Sequence, residues 1–131
     1  MPSGGGEAVQ VTKNGGDYGR ESPDGKWIYY AKTVGNSLRL WKMPAGGGEE
    51  KQIEPGPLSY WRNFVVMDDG IYFTKAGGTL EFLDFKSGRS RAVARDKRWL
   101  IGLAISPDHH WILASILDQT FNDLMLVENF R

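Results

Sequence analysis

The two histidines of this sequence, His109 and His110, are its first candidates for metal binding or general base catalysis. Adjacent residues on an extended chain point to opposite sides, so such a pair rarely chelates a single ion. The sequence has no further histidine and no cysteine that could complete a metal site. We therefore predict that the chain has no metal site and that both histidines are structural.

Carboxylates are the next candidates, because Asp24, Asp68, Asp69 and Asp108 could act as acids or bases. They occupy the same position in copies of a repeated segment, which is typical of a turn residue, whereas a catalytic residue is usually unique. A glycosidase needs two unique carboxylates across a cleft, and no such pair stands out. A serine peptidase needs a Gly-x-Ser-x-Gly segment, which is absent. We predict that the chain is not an enzyme and uses no cofactor.

The repeated segment itself has the chemistry of a tight turn before a strand. Proline presets φ at the first corner, aspartate accepts hydrogen bonds from nearby backbone N–H groups, and glycine permits a positive φ. In the last copy, His109 stands where the first copy has Gly25, and a positive φ is less favourable for histidine. The predicted structural turn residues are Ser22, Pro23, Asp24, Gly25, Ser106, Pro107 and Asp108.

The composition is that of a folded domain without excess charge. Of the 131 residues, 40% are hydrophobic, and 16 basic residues balance 16 acidic ones. A nucleic-acid-binding surface needs clustered positive charge, so we predict no nucleic-acid partner. No apolar run approaches the ~20 residues that span a bilayer, so we expect no membrane span. No signal sequence is visible either, which slightly favours the cytoplasm over the periplasm.

Short strand-like runs separated by Gly, Pro, Asn or Asp dominate the chain, and no long helical pattern occurs. The predicted strands are 8–12, 18–21, 27–32, 37–43, 51–54, 62–67, 71–75, 80–85, 91–94, 100–105, 111–116 and 123–128. This pattern predicts an all-β fold.

Internal repetition selects one all-β architecture. The segment MPSGGGEAVQV begins at Met1 and MPAGGGEEKQI begins 42 residues later, at Met43. Ser-Pro-Asp begins at Ser22 and again 84 residues later at Ser106, with a degraded copy between them. A four-strand repeat of ~42 residues has the size of a propeller blade. A sandwich gives no reason for such a period, and a barrel of hairpins would repeat at about half this length.

The repeat predicts one partial β-propeller domain over residues 1–131, with about three blades of four antiparallel strands. Residues 1–12 supply a lone fourth strand, by its match to 51–54. Residues 18–54 and 61–95 form complete blades, and residues 99–131 form a blade that lacks its fourth strand.

The segment SPDGKWIYYAK, with GNSLRLWKMPAGGGEEKQI after it, resembles the TolB-type, WD-repeat-like β-propeller repeat. The similarity is strongest over Ser22–Ile53, lower over Ile105–Val127 and lowest over Phe64–Val93. It implies the C-terminal portion of a bacterial propeller domain, in a ring of six to eight blades. Three blades do not close such a ring. We expect a homodimer that completes a six-bladed ring, or else the remainder of a longer propeller.

The same resemblance implies that the first strand of each blade lines the central channel. Aromatic and arginine residues there are candidates for ligand binding at the channel or its rim, since such residues dominate binding hot spots. The alternative is that the tryptophans pack between blades. The candidates are Tyr18, Arg20, Trp61, Arg62, Asn63, Arg98 and Trp99.

We expect a non-catalytic binding or interaction module, acting as a sensor or scaffold within a larger bacterial regulatory or envelope protein. Its ligand would be a protein or a glycan. Two alternatives stay open at this point. One is a lectin-like, carbohydrate-binding propeller. The other is the propeller part of a hydrolase whose catalytic domain is absent.

Overall fold

The structure is a computed structural model that describes residues 10, 12, 13, 15–54, 56–96, 99–117 and 122–128. Within these residues the chain forms eleven β-strands and no helix, so the described part contains no helix able to cross a membrane. The strands are β1 (Asp17–Glu21), β2 (Trp27–Val34), β3 (Ser37–Pro44), β4 (Lys51–Glu54), β5 (Phe64–Val66), β6 (Gly70–Lys75), β7 (Thr79–Asp84), β8 (Ser90–Arg95), β9 (Trp99–Ile105), β10 (Trp111–Leu117) and β11 (Asn122–Glu128).

The strands form three antiparallel sheets in which each strand pairs with the next one along the chain. The first sheet has the order β1-β2-β3-β4 and the second has the order β5-β6-β7-β8. The third has the order β11-β10-β9, so β11 is an edge strand among the described residues. These sheets confirm the predicted all-β fold of propeller blades. Residues 8, 9 and 11 of the first predicted strand lie outside the described residues.

One strand is shorter than the sequence predicts. The expected strand over 62–67 is reduced to β5, Phe64–Val66. The backbone N–H of Asn63 donates to the carbonyl oxygen of Tyr60 at 3.1 Å. This turn occupies Arg62 and delays the start of the strand. The shortening matters because it places Trp61 and Arg62 in a loop beside the sheet.

The first and second sheets pack face to face through apolar side chains. Tyr29, Ala31 and Leu40 of the first sheet share one buried cluster with Ile71 and Phe73 of the second. Ala31 pairs with Leu40 in the β2–β3 register, so both side chains lie on the same face. Removing this surface from water supplies the main attraction between the two sheets.

The second sheet is also covered on its other face. Tyr72 and Phe82 of the second sheet share a second buried cluster with Ile112 and Ala114 of the third. In β6, Ile71 to Thr74 are all buried, which explains why its sequence is continuously bulky rather than alternating. The second sheet is therefore the middle layer of the fold.

The opposite face of the third sheet exposes apolar side chains. Leu124 and Leu126 of β11 are 72% and 57% exposed, and Leu113 and Trp111 of β10 are also exposed. Leu113 pairs with Leu126, so these side chains share one face. A contiguous apolar surface of this kind is unusual for a completed fold and marks an interaction surface.

Gly70, at the start of β6, is packed so closely that a side chain would not fit there. A Cβ atom on Gly70 would lie 2.3 Å from the carbonyl oxygen of Leu83 and 2.5 Å from the ring of Phe82. We expect Gly70→Ala to lower the free energy of unfolding by about 2 kcal/mol or more, because overpacking forces the backbone to shift. Urea unfolding followed by tryptophan fluorescence measures this change.

Gly46→Ala is the matched control, because a Cβ at Gly46 meets no atom within 4 Å and its φ is not in the left-handed region. We expect its unfolding midpoint to stay near that of the wild type. Equal midpoints for the two variants would contradict the packing described for Gly70.

Candidate functional site

The first strands of the three sheets, β1, β5 and β9, lie around one open cavity of about 320 Å³. Tyr18 and Arg20 of β1 line it, together with Phe64 of β5 and Leu103 of β9. The resemblance to propeller repeats implied that first strands would line a shared channel and carry candidate ligand-binding residues. The structure brings four of the predicted residues together beside this cavity, and we call Tyr18, Arg20, Trp61 and Arg62 the Tyr18 cluster.

Tyr18 is the centre of the cluster. Its ring meets the ring of Trp61 edge-to-face, with the centroids 5.8 Å apart. It meets the ring of Phe64 in the same way at 5.5 Å. Such perpendicular pairs are a favoured arrangement of aromatic rings. They join the first sheet to the start of the second.

Two arginines lie over the Tyr18 ring. The guanidinium carbon of Arg20 is 4.3 Å from the ring centroid, and that of Arg62 is 5.3 Å from it. Arg20 also donates a hydrogen bond to the Tyr18 hydroxyl, and Arg62 lies 5.1 Å from the Trp61 ring centroid. Within the part of the chain that the structure describes, neither guanidinium forms an ion pair with a carboxylate.

The backbone at Tyr18 adopts a conformation that costs energy. Its φ is 54°, in the left-handed region that non-glycine residues rarely occupy. The β1–β2 register shifts between Asp17 and Arg20, which is the mark of a β-bulge. Bulges re-aim side chains, and such strain is concentrated at functional sites.

Asn63 was predicted as a rim residue but lies inside the molecule, 1% exposed. Its Oδ1 accepts a hydrogen bond from the backbone N–H of Gly102 in β9 at 3.1 Å. Its Nδ2 donates to the Ser59 hydroxyl at 3.3 Å. The amide thus ties the loop before β5 to the third sheet, and we leave it out of the candidate site. Arg98 lies outside the described residues, as does the side chain of Trp99.

The predicted turn residues form the same hydrogen bonds in two copies. Asp24 Oδ1 accepts from the Ser22 hydroxyl at 2.5 Å and from the Lys26 backbone N–H at 3.0 Å. The Ser22 hydroxyl oxygen in turn accepts from the Trp27 backbone N–H at 3.0 Å. These hydrogen bonds, that from Ser22 above all, lower the pKa of Asp24. The carboxylate is engaged by its own turn, which is the structural role expected for it.

The last copy of the turn repeats this network. Asp108 Oδ1 accepts from the Ser106 hydroxyl at 2.6 Å and from the His110 backbone N–H at 3.0 Å. The hydrogen bond from Ser106 is the largest cause that lowers the pKa of Asp108. His109 has a φ of 60°, where Gly25 has a φ of 72°. The expectation that histidine replaces glycine at a positive φ is confirmed.

His109 makes a contact between sheets that sequence reasoning missed. Its Nδ1 lies 3.2 Å from the Tyr72 hydroxyl, and its Nε2 lies 3.7 Å from Asp69 Oδ1 and 3.9 Å from Asp68 Oδ1. One ligand atom from each of the three residues lies within 4.8 Å of the others, a spacing that a cation could bridge. The sequence repeat could have predicted this contact, because Asp68, Asp69 and His109 occupy equivalent turns of successive blades. Both carboxylates are exposed, and their proximity alone does not define a metal site.

Two further cavities lie between the first and second sheets, away from the Tyr18 cluster. Their volumes are about 260 and 230 Å³, and they share walls formed by Tyr29, Lys42 and Phe85. The rings of Tyr29 and Phe85 are stacked with centroids 5.6 Å apart, and Phe85 is 38% exposed. The sequence analysis did not single out this groove, because it depends on which turns become neighbours.

The Tyr18 cluster has the chemistry of a binding site. Guanidinium groups form paired hydrogen bonds to carboxylates, and tyrosine and tryptophan offer large contact surfaces at low entropic cost. A ligand that enters the adjacent cavity would meet both kinds of group.

Neither a protein-family model nor a curated protein sequence matches this chain. Solved structures do. A chain assigned as TolB from Agrobacterium tumefaciens aligns with a TM-score of 0.69 and 18% identity, over 82% of this chain and 40% of that one. TolB from Acinetobacter baumannii aligns with a TM-score of 0.68 and 14% identity, over 84% of this chain and 29% of that one. The chain therefore has the fold of TolB-like β-propeller blades and spans less than half the length of these proteins.

Proposed function

We propose that this chain is a non-catalytic interaction module, a part of a propeller ring that binds a protein or peptide through the Tyr18 cluster. The observation that carries the proposal is that two aromatic residues and two arginines, one of each from β1 and one of each from the loop before β5, converge beside one cavity. These residue types dominate the energetic centres of protein interfaces. The TolB-like fold supports the same conclusion at the level of architecture.

The strained backbone of Tyr18 supports a functional reading of the cluster. A tyrosine at a φ of 54° costs of order 1 kcal/mol or more, and its ring packs against the buried cluster between the first two sheets. The bulge aims its ring toward Trp61 and Phe64. The cluster also lies on β1 and in the loop just before β5, beside the first strands, where the ligands of a ring would meet several blades at once.

The larger context that we propose is a bacterial regulatory or envelope protein in which the module acts as a sensor or scaffold. Both structural relatives named above are bacterial, and each is more than twice as long as the aligned part. Such a length is consistent with a module that works as part of a larger ring.

We further propose that a second copy completes the ring. The third sheet leaves β11 as an edge strand among the described residues, with Leu124 and Leu126 exposed beside it. Residues 8–12 match β4, the fourth strand of the first sheet, at a distance of 42 residues. The same segment of a partner copy could pair with β11 as its missing fourth strand, since open strand edges recruit strands. The remainder of a longer propeller would serve the same purpose.

A carbohydrate-binding function is the second candidate, and the groove at Phe85 favours it. An exposed aromatic ring stacked on Tyr29 lies there beside Lys42 and Asp84. Apolar ring faces surrounded by a few polar groups are typical of small-molecule sites. This site is separate from the Tyr18 cluster, so the two functions can be tested independently.

A random heptapeptide phage library panned on the immobilised wild-type protein tests the proposed interaction site. We expect enrichment of a limited set of peptides. We also expect Trp61→Ala to weaken their binding about tenfold or more, because truncation of a hot-spot aromatic removes its contact surface. Titration calorimetry with the enriched peptides measures the change.

Phe85→Ala is the control, because Phe85 is also a partly exposed aromatic residue but lies in the other groove. We expect it to leave peptide binding unchanged. Peptides whose binding depends on Phe85 and not on Trp61 would contradict the proposal that the Tyr18 cluster is the binding site. Glycan binding on an array that Phe85→Ala abolishes, without enrichment of any peptide, would favour the lectin-like alternative instead.

Size-exclusion chromatography with light scattering tests completion of the ring by a second copy. We expect twice the monomer mass for the wild type. Leu126→Lys should shift the mass to that of a monomer, because it places a charge on the exposed face beside the open edge. Ala92→Lys, at an exposed residue of β8 in the second sheet, should keep the dimer mass. A wild-type protein that stays a monomer would exclude completion by a second copy.

A further inference from the structure

We infer that the Tyr18 cluster selects peptides that carry a carboxylate next to an apolar side chain. This inference deepens the proposed function and rests on it, since it names the chemistry of the ligand for the same site. Two observations support it, namely the positive charge of the two arginines and the apolar side chains in the wall of the cavity beside them.

The two arginines of the cluster carry positive charge that no ion pair balances within the described residues. Arg20 and Arg62 both lie within 5.3 Å of the centroid of one ring, that of Tyr18. Two like charges in such proximity repel each other. The ring stabilises each cation but contributes no negative charge. Among the described residues, neither arginine has a carboxylate partner, although Asp17 and Glu21 belong to the same strand as Arg20.

A bound carboxylate would relieve this repulsion. Its two oxygens can accept hydrogen bonds from guanidinium groups, and charge-assisted hydrogen bonds of this kind are about twice as strong as neutral ones. The chain as a whole has no net charge, with 16 basic and 16 acidic residues. The preference for an anion is therefore a local property of the cluster.

The wall of the cavity beside the cluster is more apolar than polar. Phe64 and Val66 of β5 and Leu103 and Ile105 of β9 line it, within a volume of about 320 Å³. This space suits one or two apolar side chains of a peptide. Glu21 also lines the cavity and disfavours a second acid group there. The arrangement fits a short acidic-apolar peptide better than a polyanion such as nucleic acid or a free phosphate.

Three pools of blocked hexapeptides provide the test. Each pool combines Leu, Phe and Trp with one polar type: Asp and Glu, their amides Asn and Gln, or Lys and Arg. We expect wild-type protein at neutral pH to retain the acidic pool about tenfold more strongly than the amide pool, which corresponds to one strong charge-assisted contact. The preference should decrease as the salt concentration rises, because salt screens exposed charges.

Two variants locate the effect. Arg62→Gln should remove most of the preference without disturbing the Tyr18 hydroxyl, because the described hydrogen bond to that group comes from Arg20. The double variant R20Q/R62Q should retain the acidic and amide pools equally. Arg91→Gln is the matched control, since Arg91 is exposed and its guanidinium lies over Phe82, away from the cluster. Circular dichroism checks that each variant keeps its β-sheet content.

The outcomes separate the inference from the proposed function. If the wild type retains the acidic and amide pools equally, the inference is wrong and the interaction module stands. If inorganic phosphate displaces the acidic pool at the same ionic strength at which sodium chloride does not, the site is a phosphate site and the inference is also wrong. If no pool binds, the proposed function fails together with the inference.

Discussion

Burial of the second sheet on both faces is the interaction on which the rest of this structure depends. In β6, the residues from Ile71 to Thr74 are all buried, with Ile71 and Phe73 against the first sheet and Tyr72 against the third. A strand of this kind is stable only between two neighbours, because either missing layer would expose a row of large apolar side chains to water. The same requirement applies to the third sheet, whose free face carries Leu113, Leu124 and Leu126.

The stacking of layers also produces the candidate site. Each sheet begins with a strand on the same side of the stack, so β1, β5 and β9 become neighbours although they are far apart in sequence. Tyr18 lies near the start of β1, and Trp61 lies in the loop before β5. Since β1 and β5 are the first strands of successive sheets, the two rings meet. The two arginines lie over one ring because the loop before β5 packs against β1. The site is a consequence of the packing that stabilises the fold.

Much of the fold could be predicted from the sequence, because turns and strands are local. Pro23, Asp24 and Gly25 define a turn by their own conformational preferences, and the 42-residue period counts the blades. The site was predictable only in its residue types. The burial of Asn63 and its hydrogen bond to Gly102, and the approach of His109 to Asp68 and Asp69, are contacts between sheets. Such contacts depend on the spacing and twist of the layers, which no local pattern specifies.

Packing of the first two sheets brings Tyr18 onto Trp61 and Phe64, at the surface proposed to bind ligands. Nuclear Overhauser effects between the ring protons of these residues test this packing most directly. They require protons in close contact, and edge-to-face pairs with centroids 5.8 and 5.5 Å apart bring the protons of one ring onto the face of the other. We expect cross-peaks from the Tyr18 ring to both partners. In Gly70→Ala these cross-peaks should persist while the variant is folded and disappear when it unfolds. A folded protein whose Tyr18 ring shows no cross-peak to Trp61 or Phe64 would contradict the account.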